Sequence, residues 1–343
     1  MRAAELLDFT SVERFGLIDM PIPTAAQGEF LVKVSACGIC GHDVLARNGK
    51  LKASNGHVIG HEISGTVVKA GSDELISWVG KRVALVQRRP CGKCADCAQG
   101  LQTHCRKGLG FYGDDIQGGY AEYVLADPLN TAILPDSIDD RTGSILSCAI
   151  GTGIRAIKAA ALNESDVILI TGAGGGVGIH AVEIAASKNL KVIAQTSSKS
   201  KVEMLLEAGA TKVLVNPSPE EIREAAKSLG RDRGVDAVLE LTGTPTFQSS
   251  LRSMRPRGKL VLVGNTAPEE IGVSLGLIIL KELQIIGSAN ADLKDLIEAI
   301  GLVQSGAVKP IVSNTYQLED VNQAHLDLDS RSFAGRLVIT VKP

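Results

Sequence analysis

Seven cysteines occur in this 343-residue sequence, and they are far from evenly spread. Four form Cys91-Gly-Lys-Cys94-Ala-Asp-Cys97 with Cys105 eight positions further on, a C-x2-C-x2-C-x7-C ladder. Four thiolates so close together on a glycine-bearing loop can close a tetrahedral zinc site with no open position. Lys93, Arg106 and Lys107, beside Arg88 and Arg89, would offset part of the negative charge. Iron–sulfur ligation uses spacings of the same kind and is the alternative. Structural zinc is preferred to it, and to four unliganded thiols crowded on a polar loop.

A second constellation has a different character. Cys40 lies in Cys37-Gly-Ile-Cys40-Gly-His42-Asp43, His61 in Gly60-His61-Glu62, and Cys148 in Leu146-Ser-Cys148-Ala-Ile-Gly-Thr152. Two cysteines and one histidine leave a fourth tetrahedral position for water or substrate, the arrangement of a catalytic zinc. Such a metal can polarise a carbonyl or acidify an alcohol. Taken singly, Cys148 reads as a small buried core residue and His61 as an ordinary hydrogen-bonded histidine. Cys37, on the strand side of its motif, is assigned to packing.

The third chemical feature is Gly172-Ala-Gly174-Gly175-Gly176-Val177-Gly178. It follows the apolar run Asp166-Val-Ile-Leu-Ile-Thr and opens a helical stretch, the setting in which a glycine turn cradles a pyrophosphate. The next strand decides the nucleotide. It ends Gln-Thr196-Ser197-Ser198-Lys199-Ser-Lys201, with no Asp or Glu to accept from a ribose 2′-hydroxyl. Hydroxyls and lysines welcome a 2′-phosphate, so NADP(H) is favoured over NAD(H). The plainer reading makes Lys199 and Lys201 solvated residues at a helix start.

These groups need two kinds of scaffold. Up to about residue 130, short alternating runs such as Phe30-Leu-Val-Lys-Val-Ser and Lys81-Arg-Val-Ala-Leu-Val predict an antiparallel, barrel-like domain. From about residue 150, strands and helices alternate: helix Val177 to Lys188, strand Lys191 to Thr196, helix Lys199 to Ala208, strand Lys212 to Val215. The alternation runs on to a last strand, Leu283 to Gly287, and predicts a doubly wound parallel sheet of the Rossmann type. The fold class is therefore α/β. The expected division places residues 1–149 and 291–343 in a catalytic domain carrying both zincs, and 150–290 in a cofactor-binding domain.

Composition excludes several functions. Lys and Arg total 36 against 38 Asp and Glu, so nothing in the charge favours nucleic acid or an anionic membrane. The longest strongly apolar run, Ile271 to Leu280, is too short to span a bilayer. No secretory signal is visible, and the expected compartment is the cytoplasm, where clustered thiols lean toward metal or catalysis rather than disulfides.

The combination of Cys40 and Asp43, Gly60-His61-Glu62, the four-cysteine loop and the Cys148 to Gly153 turn resembles the zinc-containing medium-chain alcohol dehydrogenases along essentially the whole chain. The resemblance implies a chaperonin-10-like (GroES-like) β-barrel, a catalytic zinc on Cys40, His61 and Cys148, and a structural zinc on Cys91, Cys94, Cys97 and Cys105: two Zn2+ per chain. It places Asp43 behind His61, orienting its ring, and Glu62 just behind the metal. It puts Thr152, Leu241, Thr242, Val263 and Gly264 along the nicotinamide and ribose. One position departs from the family, which has Ser or Thr where this chain has His42. An imidazole can donate and accept near neutrality, so His42 is expected to take over as first proton relay; otherwise it only shapes the pocket. His57 and Leu51 to Asn55 are candidate pocket walls.

The expected activity is reversible oxidation of an alcohol to an aldehyde or ketone by a homodimer or homotetramer. Gly243-Thr-Pro-Thr-Phe247, Gly264-Asn-Thr and Leu275-Gly-Leu-Ile-Ile-Leu resemble acryloyl-CoA-type reductases, which gives the alternative of an NADPH-dependent enoyl-thioester reductase. The glycine spacing, with Ala173 where the usual family pattern has glycine, resembles the quinone-oxidoreductase and enoyl-reductase branches of the superfamily. A non-enzymatic nucleotide-binding protein that keeps the fold is a third reading.

Overall fold

Phe30-Leu-Val-Lys-Val-Ser-Ala-Cys-Gly-Ile is mostly apolar, with β-branched Val32, Val34 and Ile39, which suits a strand buried on both faces. In a computed structural model, which describes residues 1–7, 13–53, 55–264 and 270–341, it forms strand Phe30–Ile39 at the centre of a seven-stranded sheet. The chain divides into two compact units, one of Met1–Gly151, Asn290–Gln304 and the residues from Pro310 onward, the other of Thr152–Ala289 and Ser305–Lys309.

In the first unit the strands lie in the order Val312–Gln317, Arg336–Thr340, Phe30–Ile39, Glu62–Ala70, Arg82–Leu85, Thr131–Ile133, and Tyr123–Ala126 also pairs with Phe30–Ile39. All pairs are antiparallel except the first. Register matters to the site: Gly38 stands opposite Glu62, and Leu337 opposite Ile39. A Cβ on Gly38 would lie 2.3 Å from Glu62 Oε2, so only glycine leaves room for that carboxylate inside the sheet. The core gathers Phe30, Ile39, Ile63, Leu85, Tyr112, Tyr120 and Ile339.

Two helical pieces complete the setting. Helix Gly41–Arg47 follows the central strand directly, with Cys40 as N-cap and Asp43 returning to the Cys40 N–H. Helix Asp140–Ile145, capped by Asp139, runs into a π-helical segment, Leu146–Gly151, buried throughout. The stretch holding Cys148 was expected as a turn; it is helical, because Asp139 starts a helix upstream that widens by one residue per turn before Thr152.

In the second unit six parallel strands lie in the order Lys212–Val215, Lys191–Thr196, Val167–Ile170, Val235–Glu240, Met254–Leu262, Gln284–Gly287. Helix Gly176–Ser187 and its successors make the crossovers. This is the doubly wound order, with the topological switch beside Val167–Ile170. Strand Met254–Leu262 pairs with Val235–Glu240 across a register shift opposite Val235 and Ala237. Helix Leu275–Lys281, from the long apolar run, has no buried residue. Among the described residues no helix is long and apolar enough to cross a membrane.

Candidate metal centres and dinucleotide site

The four-cysteine loop brings its sulfurs together. Cys94 Sγ lies 3.5 Å from Cys97 Sγ and 3.8 Å from Cys105 Sγ, and Cys91 lies 4.0 Å from Cys97. Tetrahedral zinc with Zn–S bonds of ~2.3 Å separates its sulfurs by about 3.8 Å, so the donor set fits the ion. Backbone N–H groups of Lys93 and Cys94 hold the Cys91 thiol down to about 6. The basic residues divide differently from expectation. Arg89 is turned away to Glu29 (2.8 Å) and Asp127 (3.0 Å), two carboxylates that claim its guanidinium. Arg88 donates to the Cys105 carbonyl at 3.3 Å.

The second set also assembles. Cys40 comes from the end of the central strand, His61 from the residue before strand Glu62–Ala70, and Cys148 from the π-helical segment. Cys40 Sγ and Cys148 Sγ are 3.8 Å apart. One ligand atom each from Cys40, His61, Glu62 and Cys148 falls within a 4.8 Å group. The sulfur separation again matches a ~2.3 Å Zn–S bond. Asp43 Oδ1 lies 3.3 Å from His61 Nδ1, which leaves Nε2 for a metal. Cys37 is fully buried in the core, as packing requires.

Behind this set lies a guanidinium that sequence reasoning missed. Arg336 Nη2 is 2.7 Å from Glu62 Oε1, 3.6 Å from Cys40 Sγ and 3.5 Å from Cys148 Sγ. Burial pushes the Glu62 carboxyl up to about 7, although Arg336 pulls the other way. Asp43 is held from its far side too: Tyr120 Oη donates to Asp43 Oδ2 at 3.2 Å, and its oxygen faces His325 Nε2 at 3.1 Å. If Tyr120 donates to Asp43, His325 must carry its proton on Nε2.

Burial pushes the His325 pKa down to about 3. Its ordinary value is ~6.5, so below that pH the unfolded chain takes up a proton that the native protein refuses. Stability is therefore lost as pH falls from about 6.5 toward 3, by up to about 5 kcal/mol. His325→Gln is expected to flatten the dependence of urea-unfolding free energy between pH 6.5 and 4.5. Equal slopes for the two proteins would refute this assignment.

His42 sits beside the open set. Its Nε2 is 2.8 Å from Asp114 Oδ2, and its ring meets the His61 ring edge-on at 5.1 Å between centroids. Phe111 closes the group, 5.1 Å from His42 and 5.2 Å from His61. Of the suggested pocket walls, Leu51 and Lys52 line a cleft here. His57 faces the Ile116 carbonyl at 3.3 Å instead, and Ser54 lies outside the described residues.

The glycine turn, in the second unit, is built for close approach. Gly172 has φ 57°, and Gly178 packs so tightly that a Cβ would come 2.4 Å from the Gly172 oxygen. Gly175 is the N-cap of helix Gly176–Ser187 and no side chain caps it, so the first-turn N–H groups near Val177 are available to an anion. Lys201 folds over the turn, its Nζ donating to Gly174 O at 3.3 Å, while burial lowers its pKa. Thr196 is buried and accepts from the Ser198 N–H at 3.1 Å; Ser197 and Lys199 are exposed.

Leu241 and Thr242, Val263 and Gly264 follow two neighbouring strands at their carboxyl ends, where α/β sheets bind ligands. Glu240 organises them. Its buried carboxylate accepts from Thr171 Oγ1 (2.7 Å), Thr246 Oγ1 (2.6 Å), Ser250 Oγ (2.6 Å) and the N–H groups of Thr242 and Gly243 (3.0 Å each). A Cβ on Gly264 would lie 2.1 Å from Leu241 O. Thr152 Oγ1 is buried without a hydrogen-bond partner among the described residues. An open glycine cradle, an uncapped helix start and an orphaned hydroxyl fit a dinucleotide. Asn265 and Thr266 lie outside the described residues.

Comparison with known proteins identifies the family. Residues 26–136 match the family described as alcohol dehydrogenase GroES-like domain, and 176–305 match zinc-binding dehydrogenase. The chain is 31% identical over 328 residues to an acryloyl-coenzyme A reductase of Sulfurisphaera tokodaii, covering 95% of this chain and 96% of that one. It is 30% identical over 351 residues to an NAD-dependent alcohol dehydrogenase of Sulfolobus acidocaldarius, covering 96% and 97%. Among solved structures, a cobalt- and zinc-bound thermostable alcohol dehydrogenase from Pyrobaculum aerophilum superposes with TM-score 0.88 at 28% identity, covering 99% of both chains. The crystal structure of AibC superposes with TM-score 0.92 at 35% identity, covering 100% of this chain and 96% of that one. The chain thus belongs to the zinc-binding alcohol dehydrogenase family of the medium-chain dehydrogenase/reductase superfamily, and is an oxidoreductase of that type.

Proposed function

We propose that the protein is a zinc-dependent alcohol dehydrogenase that interconverts an alcohol and its aldehyde or ketone, with NADP(H) favoured over NAD(H). The observation that carries this reading is the clustering of Cys40, His61 and Cys148, two sulfurs 3.8 Å apart and a histidine beside them, with the fourth nearby donor, Glu62, engaged by Arg336. When bound, zinc supplies a Lewis acid for the substrate oxygen and the nicotinamide supplies the hydride acceptor. Cys40, His61 and Cys148 would hold that metal, and Cys91, Cys94, Cys97 and Cys105 a structural one. Asp43 orients His61, and Tyr120 orients Asp43.

His42 handles the proton. It takes one from the alcohol at Nδ1 and releases one from Nε2 to Asp114, which lines a cleft open to solvent. His42→Ala is expected to lower alcohol oxidation by about 100-fold and to change its pH profile. An unchanged profile would make the residue a mere pocket wall.

The cofactor preference rests on strand Lys191–Thr196 ending without an acid and running into Ser197, Ser198, Lys199 and Lys201. The expected kcat/KM is at least about tenfold higher with NADP than with NAD; an advantage for NAD, the cofactor in the name of the Sulfolobus relative, would reverse the assignment.

The relatives named acryloyl-coenzyme A reductase support a second reading, reduction of a conjugated enoyl thioester. One assay separates the two. NADPH oxidation is followed with aldehydes and with enoyl thioesters before and after chelation. Metal-sensitive aldehyde turnover supports the dehydrogenase; metal-insensitive enoyl turnover supports the reductase.

The proposed oligomer is a homodimer, or a dimer of dimers, extending the sheet from its edge strand Gln284–Gly287. Leu275, Ile279 and Leu280, 70, 71 and 86% exposed, give that edge an apolar patch that a lone chain would leave in water. Sedimentation should show a dimer or larger, and Ile279→Glu/Leu280→Glu should yield monomer; a monomeric wild type would refute this. A reducing cytoplasm fits a chain whose metal-set thiols are all free.

A further inference from the structure

We propose that a cation-lined cleft beside His42 binds an anionic group, of phosphate or carboxylate type, carried on the far end of the substrate. The inference rests on the dehydrogenase reading of the same site and names its substrate class. The cleft, about 470 Å³, is lined by Lys50, Lys52, Arg88, Arg106, Asp114 and Asp115. Four cations thus face two carboxylates, in a chain whose net charge is −2.

Both carboxylates are already engaged. Asp115 lies 2.9 Å from Lys52 Nζ and 3.8 Å from Arg88 Nη1, and accepts the Phe111 N–H at 3.0 Å. Burial works against its charge, yet Lys52 and that N–H hold its carboxyl below the ordinary value. Asp114 is taken by His42. Lys50 and Arg106 make no ion pair among the described residues, and both are exposed to the cleft's solvent. Two unneutralised cations, one a point charge and one a planar fork, are what a phosphate or carboxylate needs.

Side chains lining the cleft contact side chains that pack on the open metal set. Asp114 contacts His42, whose ring packs on His61. On the other wall, the Arg88 guanidinium lies 5.9 Å above the Phe111 ring, which also packs on His61. A substrate with its reacting oxygen at Cys40, His61 and Cys148, and long enough to extend past His42, would bring its opposite end to these cations. Arg88 and Arg106 could instead serve only the neighbouring tetrathiolate loop. Lys50 and Lys52 come from a separate segment after helix Gly41–Arg47, and that role would not require them.

The test compares a neutral alcohol with the same alcohol bearing a terminal phosphate or carboxylate, using wild type, Lys50→Glu, and Lys50→Glu/Arg106→Glu. Wild type should show a KM at least about tenfold lower for one of the anionic partners, and the two anions are ranked directly. Lys50→Glu should erase that preference while kcat and the KM for the neutral alcohol stay unchanged. Equal KM values for neutral and anionic substrates in wild type would overturn the proposal, even with turnover intact. Inorganic phosphate titrated calorimetrically into NADP-saturated protein supplies a second readout. Binding that weakens with salt and disappears in Lys50→Glu supports the cleft; binding unchanged in the variant marks an adventitious ion only and overturns it. If no alcohol is oxidised, the dehydrogenase reading fails, and the phosphate titration still decides about the cleft.

Discussion

Cys148→Ser is expected to lower alcohol oxidation by at least about 1,000-fold, equivalent to ~4 kcal/mol of transition-state stabilisation. The change is nearly isosteric, and Cys148 is buried in the π-helical segment that continues the helix capped by Asp139, so folding should survive. What is lost is one of two soft donors, whose sulfurs stand 3.8 Å apart. A hydroxyl replaces a thiolate poorly as a zinc ligand. Circular dichroism and dinucleotide binding should match wild type, since the glycine turn belongs to the other unit. A variant that keeps more than about a tenth of the activity would remove Cys148 from the chemistry.

Arg336→Met is expected to destabilise the first unit by about 3–5 kcal/mol. The guanidinium is almost fully buried, and Glu62 opposite it is completely buried. Removing one partner strands a carboxylate within the sheet, where Gly38 was needed to make room for it. At roughly 2–4 °C per kcal/mol, the melting temperature should fall by about 10 °C. Arg336→Met/Glu62→Gln should recover most of that loss, because a buried pair replaced as a pair costs little. A single variant that melts within about 2 °C of wild type would show the pair to be dispensable.

The two cases also mark how far the sequence could be read. The four-cysteine loop was legible because its ligands lie within one short segment, so spacing alone constrains geometry. The glycine turn was legible for the same reason: strand, turn and helix start are contiguous. Arg336 was not, because it reaches Glu62 across 274 residues through strand pairing that local pattern cannot encode. A charged residue opening the apolar run Arg336-Leu-Val-Ile-Thr was the one available signal. Asp114 reaches His42 across 72 residues, and His325 reaches Tyr120 across 205, again through tertiary packing. Glu240 was hidden differently. It ends a strand, a position a solvent-facing acid also takes, and only the fold reveals the hydroxyls and N–H groups around it. The π-helical segment at Cys148 escaped notice because nothing in Leu-Ser-Cys-Ala-Ile-Gly distinguishes it from a turn.

The central claim is that turnover depends on a metal held by Cys40, His61 and Cys148, distinct from the one in the cysteine loop. Its most direct test is to dialyse the wild-type protein stepwise against a chelator, measuring zinc per chain and alcohol oxidation at each step. The open set is expected to release first, because it holds its ion with three protein ligands rather than four. Activity should then fall to zero as zinc per chain drops from two to about one. Full activity at one zinc per chain, all of it retained by the four-cysteine loop, would contradict the account.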